Sequence, residues 1–163
     1  MVKITGGCAV AVCVAALGCG SSSNGQPQVN ISGIQAGQTV NLNPDDTFQV
    51  NFSASNFSLQ PIGNCGNNTN CGQAYLNIDG TACNIPAQSF NAITPTAAAP
   101  STSTLFANFS FCPANGFSGN HQLTVSLHRD DGTEVIGNGN APAEATVSVT
   151  VTGGSAPTDG GNP

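Results

Sequence analysis

The chain contains few cationic and few aromatic side chains. Its 163 residues include two Lys or Arg, no Trp and one Tyr, with Lys3 near the N-terminus and Arg129 far from it. Nucleic-acid binding relies on clustered cations that neutralise backbone phosphates, so this composition argues against a nucleic-acid partner. The shortage of Trp and Tyr also removes the side chains with which an exposed sheet most often stacks on sugars. Most of the eight Phe residues fall at positions expected in a core.

No apolar run in the chain reaches the roughly 20 residues that a membrane-spanning helix needs. A short apolar stretch from Val10 to Leu17 follows Lys3 and ends at the small residue Gly18. A positive start, a short apolar core and a small residue at its end are typical of a secretory signal peptide. Residues 1–18 are therefore predicted to be removed.

The residues at the predicted cleavage site, Ala16-Leu17-Gly18-Cys19, resemble the lipobox of bacterial lipoproteins. Family lipoboxes more often place Leu one residue earlier, and an ordinary secretory signal is the alternative. The resemblance implies that Cys19 receives a lipid and anchors the protein to a membrane. Residues 19–27, rich in Gly, Ser and Asn, are then expected to form a flexible tether. Gly20 stands where similar lipoproteins carry Asp when they stay at the inner membrane, which favours the outer membrane, with the domain periplasmic or surface-exposed.

The remainder of the chain suits a single domain. Residues 28–152 are predicted to form it, and the Gly-, Pro- and Ser-rich residues 153–163 to form a disordered tail. Without residues 1–18, Arg129 is the single Lys or Arg against eight acidic residues, a formal net charge of −7. Such a charge repels phosphate backbones and anionic headgroups.

Four cysteines lie within the predicted domain: Cys65, Cys71, Cys83 and Cys112. An even number of cysteines in an oxidising compartment predicts two disulfides, for which three pairings exist. The short Gly- and Asn-rich loop between Cys65 and Cys71 favours their pairing and leaves Cys83 for Cys112. A zinc site is the alternative, although the closely paired C-x-x-C knuckles of such sites are absent.

Alternating apolar and polar residues predict β-strands, each with one buried face. The clearest segments are Phe48–Ala54, Leu105–Phe111, Leu123–Leu127 and Val147–Val151. Weaker ones are Val29–Ile34, Thr39–Leu42, Ala74–Ile78 and Val135–Ile136. No segment shows helical spacing of apolar residues, and turn residues separate the strands. The sequence therefore predicts an all-β sandwich of about seven strands in two sheets.

Turn residues stand between several of these strands. Residues 43–46 are expected to form a turn, and Asp79-Gly80 and residues 130–132 to form hairpin turns in which Gly accepts a positive φ. Residues 86–103, rich in Pro, Ala, Ser and Thr, are expected to form a long loop.

The last predicted strands carry a recognisable pattern of residues. Gly119-Asn120-His121-Gln122-Leu123-Thr124-Val125 fits the pattern G-x-H-x-L-x-V, and it is followed by Asp130-Asp131-Gly132 and the alternating strand Val147–Val151. These segments resemble the last strands of bacterial immunoglobulin-like domains, which usually carry a D-x-x-G turn where this chain has Asp-Asp-Gly. The core Trp that marks such domains is absent. The resemblance implies an immunoglobulin-like Greek-key sandwich.

Two histidines are the candidates for acid–base or metal chemistry. His121 shares strand parity with Leu123, so we expect it to pack inward with a hydrogen bond to a loop backbone, whereas His128 should lie on the opposite, polar face. Histidines on opposite faces do not converge on one metal ion. No G-x-S-x-G elbow accompanies either residue. No catalytic residue, metal ligand or cofactor is therefore predicted. Phe57, Phe90 and Phe117, near strand ends or in loops, are expected to form at most a small hydrophobic contact patch.

Three functional hypotheses follow. The first is a non-enzymatic envelope module that contacts an envelope or extracellular protein, and it expects His121 to be packed and hydrogen-bonded. The second is a metal-binding or hydrolytic protein that uses His121 with nearby carboxylates, and it expects a solvent-accessible ring in a pocket. The third is a secreted inhibitor that acts through a rigid, protruding Cys65–Cys71 loop.

Overall fold

The computed structural model describes residues 25–91, 103–113 and 117–153. The predicted signal peptide, the lipobox with Cys19, most of the tether and all but the first residue of the predicted tail lie outside these ranges. The described residues form eight β-strands and no α-helix, and none of their helices is long and apolar enough to span a membrane. The strands are β1 Gln28–Ser32, β2 Gln38–Asn41, β3 Thr47–Ser55, β4 Ser58–Leu59, β5 Cys71–Ile78, β6 Ser103–Asn108, β7 Gly119–His128 and β8 Glu144–Thr152.

The strands form two sheets, which confirms the predicted all-β sandwich. One sheet has the order β1-β3-β6 and is antiparallel throughout. The other has the order β2-β8-β7-β5-β4, in which β2 runs parallel to β8 and β4 parallel to β5. Eight strands occur where about seven were expected, because the two-residue strand β4 is too short to leave a pattern in the sequence.

The core lies between the sheets and consists of the alternate residues that the strand pattern assigned to it. Full burial of one such Val, Leu or Phe side chain contributes about 1.5–3 kcal/mol. The largest side chains with almost no exposed surface are Phe52, Phe109, Leu76, Ile78, Leu105, Leu123 and Leu127.

Two predicted strands differ in the structure. The strand expected to run to Phe111 ends at Asn108, whose side chain accepts a hydrogen bond from the Ser110 backbone and so caps a 3₁₀ helix, Phe109–Phe111. The strand expected at Val135–Ile136 is absent from the strands of the described residues. That segment makes isolated bridges, although Val135 is 1 % exposed and belongs to the core.

The turns behave differently from one another. Residues 43–46 form the expected turn, closed by a bond from the Asp46 N–H to the Asn43 carbonyl, and residues 129–133 form the second. The hairpin expected at Asp79-Gly80 is wrong. Both residues turn with positive φ, but β5 pairs with β7 rather than with the next strand along the chain.

The sandwich has two distinct ends, which we call proximal and distal. Because β5 and β8 run antiparallel to β7, Cys71, His128 and Glu144 lie at the proximal end, and Ile78 and Thr152 at the distal end. The first described residues join the sandwich at the proximal end, where the Asn56 side chain donates a 3.2 Å hydrogen bond to the Gln26 carbonyl. The described part of the chain therefore begins at one end of the sandwich and finishes at the other.

Each end carries one disulfide. Cys65 is bonded to Cys71 at the proximal end, and Cys83 to Cys112 at the distal end. These are the pairs that the sequence favours, and they exclude a zinc site made of the four thiolates.

Candidate functional site

A shallow depression crosses the outer face of the five-stranded sheet near its distal end. It has a volume of about 420 Å³, within the range of small-molecule sites. Amides and hydroxyls surround it, with one carboxylate at its side. The lining residues are Gly37, Asp79, Asn120, His121, Gln122, Ser148, Val149 and Thr150.

The side chains of His121 and Asp79 are in direct contact. Nδ1 of His121 lies 2.7 Å from Oδ2 of Asp79, and the other carboxylate oxygen accepts a 2.8 Å hydrogen bond from the Gln122 backbone. The turn after β5 supplies Asp79, and the register of β5 against β7 brings it beside His121. The expected bond from His121 to a loop backbone is thus replaced by a bond to a side chain.

The His121 ring is packed against neighbouring side chains and is almost completely shielded from solvent. It is 6 % exposed, its edge-to-face contact with Phe109 has a centroid distance of 5.1 Å, and its Nε2 is buried without a hydrogen-bond partner. A carboxylate that orients a histidine in this way also accompanies many metal ligands. In the described ranges, however, no three His, Cys, Asp or Glu side chains come together to hold a metal ion.

The second histidine, His128, lies on the face of β7 opposite His121, as its strand parity predicts, but other side chains cover that end of the face. His128 is 8 % exposed, and its ring stacks on Tyr75 with a centroid distance of 4.0 Å. Its Nδ1 lies 3.1 Å from the Gly132 carbonyl and its Nε2 2.9 Å from Oγ of Ser126. Because a carbonyl only accepts, a neutral ring carries its proton on Nδ1 and accepts the Ser126 hydroxyl proton at Nε2.

A serine bonded to a histidine, which is itself oriented by an acceptor, is the arrangement of an activated nucleophile. Sequence reasoning missed this pair because Ser126 and His128 are two residues apart on the polar face of the strand, where no motif marks them. Ser126 is 4 % exposed, and neither residue lines the depression. The Ser126–His128 bond lies within β7, and the bond from His128 Nδ1 to the Gly132 carbonyl joins the strand to the following turn.

The proximal disulfide loop is fixed by a carboxylate from another part of the chain. Oδ2 of Asp130 accepts hydrogen bonds from the backbone N–H groups of Gly63 and Cys65, at 3.1 and 3.2 Å. Oδ1 of Asp130 accepts a 2.6 Å bond from Gln73, whose side chain is buried. The loop is therefore held by its disulfide and by two backbone bonds to the Asp130 carboxylate, which Gln73 of β5 holds in place.

Arg129 holds the far side of the same loop. Its guanidinium donates to the carbonyls of Thr69 and Glu134, at 3.2 and 3.0 Å. The next acidic residue, Asp131, accepts a 2.6 Å bond from the Thr133 hydroxyl, and this bond lowers the pKa of Asp131, helped by the Thr133 backbone N–H and by the charge of Arg129. Asp130 thus braces the loop, and Asp131 closes its own turn.

The predicted hydrophobic patch is not formed by the expected residues. Phe57 and Phe117 are buried in the core, and Phe90 packs on Tyr75 at a centroid distance of 4.6 Å. The exposed phenylalanines in the described part of the chain are Phe106 and Phe111, at 50 % and 37 %.

Comparison with known proteins adds no relative: no family model matches the chain, and no curated protein matches it.

Proposed function

We propose that the chain is a lipid-anchored module of the bacterial cell envelope, tethered through Cys19 to the outer membrane and facing the periplasm or the cell surface. Its domain acts by non-enzymatic contact with an envelope or extracellular protein, or as surface structure, and it requires no cofactor.

The observation that carries this proposal is the packing of both histidines. His121 and His128 are 6 % and 8 % exposed, and each is bonded within the domain. General acid–base catalysis needs a titrating group within hydrogen-bond reach of a substrate. The contact hypothesis expected a packed His121, whereas the hydrolytic hypothesis expected an accessible ring. The Asp79 carboxylate and the depression are present, and His121 is among the lining residues, but it is only 6 % exposed.

The strand order supports an immunoglobulin-like Greek-key topology for the domain. In that fold the chain passes repeatedly from one sheet to the other, so that sequential strands are distributed between two sheets. Here β3 and β6 pair in one sheet, and β5, β7 and β8 pair in the other. β1 belongs to the three-stranded sheet, whereas β2 pairs in parallel with β8 in the five-stranded sheet, so the first two strands lie on different sheets.

The proximal end is the membrane-facing end in this proposal. Residues 19–25 connect the anchor to the sandwich, and at about 3.5 Å per residue they reach no more than about 25 Å. The depression and the Cys83–Cys112 disulfide then face away from the membrane, since they lie at the distal end.

Replacement of the anchor cysteine tests the proposal. Wild-type protein should fractionate with membranes, and a Cys19→Ser variant should become soluble. Cys13→Ser is the matched control, because this cysteine lies within the predicted signal peptide and its loss should leave membrane association unchanged. Membrane association of Cys19→Ser equal to that of the control would refute lipid anchoring.

The non-enzymatic role is tested separately. A His121→Gln variant whose unfolding free energy remains close to that of the wild type should restore any envelope defect of a deletion strain. Failure of a stably folded variant to do so would favour catalysis.

A second candidate, an inhibitor that acts through the Cys65–Cys71 loop, is favoured by the Asp130 brace. Inhibitory loops bind tightly when they are held in one conformation before binding. Ile62, beside the braced segment, is 73 % exposed and would serve as an apolar anchor. Grafting residues 61–73 onto an unrelated sandwich should retain partner binding if the loop suffices, and loss of binding by the graft would remove this candidate.

A further inference from the structure

The outer face of the three-stranded sheet carries no charge. Strands β1, β3 and β6 contain no Asp, Glu, Lys, Arg or His. Their core-facing residues are apolar apart from Ser103, and their outward residues are amides and hydroxyls with one exception, Phe106. We call the outward residues of these strands the neutral face: Gln28, Asn30, Ser32, Thr47, Gln49, Asn51, Ser53, Ser55, Thr104, Phe106 and Asn108.

Phe106 projects from the middle of β6 and is 50 % exposed. It lies opposite Gln49 in the register, and Thr104 of the same strand lies opposite Asn51. Alternation in β6 points Leu105 and Ala107 into the core, so Phe106 is exposed by its place in the strand. An aromatic ring left in water costs free energy that burial against a ligand would recover.

The polar groups beside Phe106 are held in fixed positions. The Asn51 carbonyl oxygen Oδ1 accepts 2.9 Å hydrogen bonds from Nε2 of Gln49 and from Oγ1 of Thr104. Three side chains from two strands are therefore oriented together, and a ligand would not have to order them. Asn51 Nδ2 and Gln49 Oε1 make no hydrogen bond within the described residues and remain as a donor and an acceptor.

From this arrangement we propose that the neutral face binds an uncharged glycan. The chain has no Trp and one Tyr, the usual stacking residues, and the exposed ring of Phe106 takes their place on this face. The C–H face of a sugar ring packs on an aromatic ring, and its hydroxyls pair with amide donors and acceptors. The absence of charge on these strands suits a neutral polyol. The Asp45 carboxylate lies outside the strands at the Thr47 end of the face, where it accepts a 2.7 Å bond from the Thr47 hydroxyl. The core of a protein–protein interface is more apolar than one ring surrounded by amides. The site adds to the proposed contact role and does not depend on the lipid anchor.

The experiment uses residues 20–163 with both disulfides formed, labelled with ¹⁵N. Three neutral probes, chitotetraose, maltoheptaose and cellohexaose, are added in turn, and backbone amide shifts are followed by NMR. We expect at least one probe to shift amides of β3 and β6 in a saturable way. The Phe106→Ala variant should weaken this binding about tenfold, the size of one aromatic contact, and Phe106→Trp should restore it.

Phe111→Ala is the matched control, because this second exposed phenylalanine lies outside the strands and should be dispensable. No saturable shift with any of the three probes overturns the inference, and so does equal weakening by the two alanine variants. Sedimentation velocity identifies the other occupant. A dimer that forms in the wild type and is lost in Phe106→Ala would assign the face to a second copy of the chain. Cleavage of a probe would instead contradict the non-enzymatic role, so the two proposals fail in different ways.

Discussion

Asp130 offers the sharpest test of how the proximal disulfide loop is held. Its carboxylate accepts three N–H donors, from Gly63, Cys65 and the Gln73 side chain. An Asp130→Ala variant removes all three acceptor contacts without changing the disulfide. We expect the domain to fold but to lose stability, and the loop amides to exchange faster with solvent.

The magnitude follows from how well water replaces each bond. The Gln73 side chain is 2 % exposed and keeps a 3.2 Å bond to the Gln60 carbonyl, so the loss of its bond to a charged oxygen costs about 1.5 kcal/mol. The freed backbone N–H groups of the loop can be hydrated, and together they add about 0.5 kcal/mol. The expected loss in the free energy of unfolding is therefore about 2 kcal/mol.

Urea denaturation followed by far-ultraviolet circular dichroism measures this loss. Asp131→Ala is the control, since it removes the same charge from the adjacent position. The Asp131 carboxylate accepts its hydrogen bonds from Thr133, within its own turn. The control should change stability much less. Equal losses in the two variants, or a loss below about 0.5 kcal/mol for Asp130→Ala, would show that the loop does not depend on this carboxylate.

Three further predictions concern single positions. A Cβ at Gly72 would collide with the His128 carbonyl, so Gly72→Ala should lower the unfolding free energy by about 3 kcal/mol in urea denaturation, and a change below about 1 kcal/mol would contradict the close packing. Asn91 is fully buried and bonds through its side chain to three backbone groups, so Asn91→Ala should cost about 3 kcal/mol, and calorimetry showing an unchanged midpoint would contradict this. Because the pKa of Asp131 is lowered in the folded state, the stability that its bonds contribute is complete above the unfolded-state pKa and is lost as pH falls through the folded-state pKa. A Thr133→Val variant should raise the folded-state pKa of Asp131 in an NMR titration. An unchanged pKa would show that the Thr133 hydroxyl is not the main cause of the lowering.

The sequence predicted the strands that have one buried face and one wet face. Alternation at Phe48–Ala54, Leu123–Leu127 and Val147–Val151 is confirmed because period two is a direct consequence of strand geometry. The boundary of β6 was wrong, since a capping side chain, Asn108, ends the strand where apolar alternation continues. Val135 is buried without belonging to a strand, so its apolar character alone could not distinguish the two cases.

The site residues were less predictable, because their partners are distant in the sequence. His121 was correctly expected to face inward. Its contact with Asp79, 42 residues earlier in the chain, depends on the register between β5 and β7. His128 lies on the face opposite His121, as predicted, but it is buried there because Tyr75 stacks on it and the following turn supplies the Gly132 carbonyl. A period-two pattern assigns a side chain to a face, but it does not say what covers that face.

Intact mass spectrometry of the protein purified from bacterial membranes tests the central claim most directly. The proposed anchored module predicts an N-terminus at Cys19 that carries two or three acyl chains. It also predicts that four cysteines become open to alkylation only after reduction, in accord with the pairs Cys65–Cys71 and Cys83–Cys112. An unacylated N-terminus would contradict the anchor, and alkylation of these cysteines before reduction would contradict the disulfide-braced domain.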